Sequence, residues 1–75
     1  MIKVIFYGWV VGMEKIPFIK LLHEKANLSL KEAKMIKDGI VDGKEYVIEI
    51  KSLELANEII IKAQSLGVKC KIINS

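Results

Sequence analysis

Few residues of this 75-residue chain could carry covalent chemistry, and they do not converge. His23 is its one histidine and Cys70 its one cysteine. A histidine without nearby cysteine or paired carboxylates does not make a metal site. Glu14, Glu24 and Glu32 are spread over helix surfaces rather than paired. No Ser/His/Asp or Cys/His set fills the roles of nucleophile, base and orienting group. Gly8-Trp9-Val10-Val11-Gly12 has glycines but no strand-GxGxxG-helix or phosphate-loop pattern. No enzyme activity, cofactor or metal is therefore expected. His23 reads as a surface or groove-edge residue, and Cys70 as a small buried hydrophobe alternating with Lys69 and Lys71. What remains is binding chemistry. Residues Lys15 to Lys34 read KIPFIKLLHEKANLSLKEAK, with lysines set beside apolar positions. Such a mixture is either the solvated side of amphipathic helices or a docking surface for an acidic and apolar partner.

The elements that position these residues follow from patterning. Ile2 to Tyr7 is β-branched and aromatic, a strand that Gly8 should end. Trp9 to Met13 reads as a loop, and a helix starts near Glu14. Pro17 falls in its first turn, where a missing N–H has no partner to lose. Ile16, Ile19, Leu22 and Ala26 recur at helical spacing, and Asn27 breaks the helix. Ser29 and Glu32 form a capping-box pattern. Leu30, Ala33 and Ile36 make the second stripe, with Gly39 as the expected stop. Val41 to Lys44 is a turn, and Glu45 to Lys51 alternates with period two. Ser52 caps a third helix, Glu54 favours its dipole, and Ala56, Ile59, Ile60, Ala63 and Leu66 face inward. Gly67 stops it before the strand Val68 to Ile73.

The order β-α-α-β-α-β constrains the topology. A strand-helix-strand unit leaves the second and third strands parallel in direction, and a helical hairpin leaves the first two opposed. An α+β, two-layer fold follows, spanning residues 1–75 as one domain. It has a three-stranded antiparallel sheet of order 2-1-3, with three helices on one face. Lys3, Ile5, Tyr7, Val47, Glu49, Lys69, Lys71 and Ile73 would line the open face.

Leu28-Ser29-Leu30-Lys31-Glu32-Ala33-Lys34 resembles the GLGLKEAK signature of the C-terminal domain of the bacterial ribosomal stalk protein. The resemblance runs from about Glu14 to Ile72. Lys15, Ile16, Ile19 and Lys20 match the family's first helix, with His23 where an arginine is usual. Ser29 replaces the usual glycine, and Ala56 and Gly67 match the third helix and its stop. The resemblance implies a docking face for translational GTPases built from Lys15, Ile16, Ile19, Lys20, His23, Leu30, Lys31 and Lys34. A ribosomal protein-like role in translation would follow. The family's dimerisation domain and hinge are not in this sequence. The same fold class includes the adaptor that delivers N-degrons to the Clp protease, but the loop after the first strand lacks that adaptor's carboxylates.

Composition bounds the alternatives. A formal charge of +3 permits an acidic partner without demanding nucleic acid. Lys3, Lys69 and Lys71 with Tyr7 could contact phosphate and stack a base, yet Glu49 and several aliphatics share that face; a nucleic-acid-binding or Clp-adaptor-like module is the second reading. Ile5, Tyr7, Val47 and Ile73 make a weak homodimer through the open face or a sheet edge a further expectation. Trp9 either folds over one end of the core or anchors a partner. No segment approaches the ~20 apolar residues of a membrane span. A single cysteine fits a reducing, cytoplasmic setting.

Overall fold

The computed structural model describes residues 1–73. Residues 74–75, which close the domain expected from the sequence, lie outside the described residues. The elements run β1 (Ile2–Trp9), α1 (Lys15–Glu24), α2 (Leu30–Val41), β2 (Tyr46–Ile50), α3 (Leu53–Ser65) and β3 (Val68–Ile73). The sheet is antiparallel on both sides of β1, in the order β2-β1-β3 expected from the connections. Val4, Phe6, Ile48, Ile50, Val68 and Cys70 are buried, while the residues between them face outward. Burial on one face alone places the three helices there, and all six elements feed one core. At its centre the rings of Phe6 and Phe18 meet edge to face, centroids 5.4 Å apart.

The helix starts form as their residue types dictate. The Glu32 N–H donates to Ser29 Oγ at 3.1 Å, and the Glu32 carboxylate accepts from the Ser29 N–H at 3.4 Å, completing the capping box. Ser52 Oγ accepts from the Leu55 N–H at 3.1 Å. Asn27 sits at φ 59, a left-handed conformation that turns the chain between α1 and α2.

Two glycines act differently from expectation. β1 does not end at Gly8. It continues to Trp9 through an irregularity between Phe6 and Gly8 that shifts its pairing with β3. Gly39 does not end α2 either. The helix runs on to Val41, and the stop comes at Gly43, φ 90. Gly39 is buried within the helix because the Tyr46 ring lies against it, where a Cβ would overlap that ring.

Candidate functional site

α1 buries Phe18, Ile19, Leu21 and Leu22. The stripe expected from spacing included Ile16, but Ile16 is 72 % exposed. At about 100° per residue Ile16 stands well off the arc of the four buried side chains. Ile19, expected at the docking surface, is instead part of the core. α2 repeats the pattern. Ala33, Ile36, Gly39 and Ile40 face inward, whereas Leu30, placed in the stripe by spacing, is 52 % exposed. Of the eight residues marked for docking, Lys15, Ile16, Lys20, His23, Leu30, Lys31 and Lys34 are exposed.

Helix geometry groups five of these seven, and leaves Lys15 and Lys31 about 100° off those flanks. Ile16, Lys20 and His23 are four and three residues apart and share one flank of α1. His23 Nδ1–H donates to the Leu28 carbonyl at 2.8 Å, which turns that flank toward the link into α2. The bond also makes His23 structural, because it satisfies a carbonyl just before the Ser29 cap. Leu30 and Lys34 lie one turn apart on α2. They point away from Met35 and Glu32, which line a groove on the β2 side. α1 and α2 pack against each other. Each helix of this packed pair thus presents one exposed aliphatic side chain beside a lysine, Ile16 with Lys20 on α1 and Leu30 with Lys34 on α2.

The lysines of this surface are in no ion pair among the described residues. Among the described residues the ion pairs are Lys25 Nζ–Glu58 Oε1 at 3.1 Å, tying the end of α1 to α3, and Lys37–Asp38 within α2. Lys15, Lys20, Lys31 and Lys34 take part in neither. On its other side Lys20 borders a shallow groove of ≈ 360 Å³ between α1 and α3, with Pro17, Leu21 and Lys62.

The open sheet face is built otherwise. Lys71 Nζ lies 5.5 Å from the Tyr7 ring centroid, a cation–π contact across β1 and β3. Lys3 stands in register opposite Glu49. Ile5 and Ile73 are half-buried by their neighbours.

Cys70 is buried, and loss of solvent pushes its thiol from 9.0 up to about 11, so it stays protonated and a poor nucleophile near neutrality. Among the described residues no group of three His, Cys, Asp or Glu side chains could hold a metal ion, and no helix is long and apolar enough to cross a membrane.

One exposed region is only weakly marked in the sequence. Trp9 is not part of the core; it is 39 % exposed, and Val11 is 96 % exposed. The segment is held in place nonetheless. The Val10 N–H donates to the Gly67 carbonyl and the Glu14 N–H to the Leu66 carbonyl, both at 2.9 Å. The run of apolar residues between Gly8 and Gly12 was the available signal.

Comparison of the chain with models of known protein families, with curated proteins and with solved structures finds no match.

Proposed function

We propose that this chain is a small, non-catalytic docking module of the reducing cytoplasm, binding an acidic and apolar protein surface along the α1–α2 seam. One observation carries the reading. Ile16 on α1 and Leu30 on α2 remain exposed on helices whose lysines Lys15, Lys20, Lys31 and Lys34 have no ion-pair partner among the described residues. Lysines in this arrangement speed encounter with a carboxylate-bearing partner, and the aliphatic side chains slow release once water is expelled. The resemblance of Leu28 to Lys34 to the stalk-domain signature makes translational GTPases the first partners to try. The burial of Ile19 narrows the proposed surface to the other seven residues. His23 joins it as an imidazole edge, without the guanidinium fork of an arginine.

Nucleic acid is supported less well. Tyr7 already carries Lys71 over its ring, and Glu49 in register opposite Lys3 puts a carboxylate on the same face, which opposes phosphate.

The experiment is binding of the wild type and of Lys20→Glu/Lys34→Glu to purified translational GTPases over a range of salt. The double reversal should slow association about tenfold at low salt and less at high salt. Equal binding by both proteins would move the site elsewhere, to the Trp9 segment first. No binding by the wild type at high micromolar concentration would remove translational GTPases as partners. A steep fall of nucleic-acid affinity with salt would instead favour the sheet face.

A further inference from the structure

An open three-stranded sheet has two free edges, and each presents backbone N–H and C=O groups that invite another strand. The edges here differ. β3 is blunted by Lys69 and Lys71 within the strand. The Gln64 side-chain amide donates to its Cys70 carbonyl at 3.4 Å, and its pairing with β1 is irregular. β2 has none of these features. Tyr46-Val47-Ile48-Glu49-Ile50 contains no lysine, proline or glycine, and it pairs with β1 without a register shift. Among the described residues, no loop or side chain hydrogen-bonds to its backbone. Exposed apolar groups flank it on both faces: Val47 on the open face and Met35 of α2 on the helical one, beside a shallow groove of ≈ 310 Å³.

We propose that the β2 edge pairs antiparallel with the same edge of a second copy, Ile48 facing Ile48 across the twofold axis, to give a continuous six-stranded sheet. The sequence of the edge is self-complementary in that register. Tyr46 then faces Ile50 and Ile48 faces itself on the helical side. Val47 faces Glu49 and Glu45 faces Lys51 on the open side, so each dimer gains two opposite-charge cross-strand pairs. Opposed residues must share a face, so the axis can move only by whole residues. Moving it to Val47 sets Glu45 against Glu49, and moving it to Glu49 sets that carboxylate against itself. The pairing leaves the α1–α2 seam free in both copies. A five-residue edge offers a small interface, so the dimer is weak and forms only at high protein concentration.

Charge reversal tests the register without touching the core, because Glu45 and Lys51 are both exposed. Sedimentation equilibrium should show Glu45→Lys and Lys51→Glu each weakening the dimer about tenfold, and the double reversal restoring it. Amide exchange in Tyr46 to Ile50 should slow with rising concentration while that in Val68 to Ile73 does not. Only monomer at millimolar concentration overturns the proposal. So does a dimer indifferent to the reversals, a double variant that fails to recover, or a dimer abolished by Ile5→Lys alone.

Discussion

The α1–α2 seam and the open sheet face carry the same ingredients, lysine beside aliphatic side chains, but differ in what those side chains already touch. On the sheet, Lys71 rests over Tyr7, Lys3 stands in register opposite Glu49, and Ile5 and Ile73 are shielded by their neighbours, although Val47 is as exposed as Leu30. On the seam, Ile16 and Leu30 stand out in solvent, and the lysines around them have no ion-pair partner among the described residues. Composition alone therefore does not mark an interface. The sheet face engages part of its chemistry internally, through the Lys71–Tyr7 contact, and this is what makes the seam the better candidate for docking.

Two residues of α1 put this contrast at greatest risk. Phe18 is fully buried against Phe6, so Phe18→Ala should cost about 3–5 kcal/mol in chemical denaturation. Ile16→Ala, two residues earlier, should change stability by no more than about 0.5 kcal/mol. A large loss at Ile16 would mean that it supports the fold, and the seam would lose its apolar centre.

The inner side of the sheet offers the next largest effect. The thiol of Cys70 titrates at about 11 when folded, against 9.0 as the ordinary value. The native chain thus holds this proton above the pH at which the unfolded chain releases it. Stability from this source is complete below pH 9 and declines as pH rises through about 11, by about 2–3 kcal/mol in all. Denaturation of Cys70→Ser, compared with the wild type across that interval, should show a shallower decline. Parallel curves would contradict the assignment.

The smallest effect concerns the exposed lysines of the two surfaces. Lys71→Ala removes the cation over Tyr7 and should lower stability by about 0.5 kcal/mol, a melting shift of about 2–4 °C. The corresponding Lys20→Ala on the seam should shift melting by less. A larger shift at Lys20 would show that the seam lysine is engaged within the fold.

Element order, strand pairing and both serine caps were legible in the sequence because each rests on local chemistry: β-branched runs, a Ser-x-x-Glu box and alternating polarity. The misread points share a physical cause. Gly39 resembles a helix stop, but its small size makes room for the Tyr46 ring, a contact between elements that local spacing does not report. Gly8 resembles a strand end, yet β3 pairs past it. Ile16 and Leu30 stand three residues before buried Ile19 and Ala33 and so read as part of their stripes, yet each falls beyond the arc that is buried. In helices of ten and twelve residues, the period alone does not decide which apolar positions the sheet covers. The candidate docking residues therefore rest largely on the resemblance. Burial then separates Ile19 from the rest, and the carbonyl bond of His23 depends on a turn that spacing does not describe.

The most direct test of the seam as a docking surface is a residue-by-residue map of amide shifts as a translational GTPase is titrated into labelled protein. Docking at the seam predicts the largest changes from Lys15 to His23 and from Leu30 to Lys34, with little at Tyr7, Lys69 and Lys71. Changes centred on the open sheet face, with the seam unmoved, would contradict it.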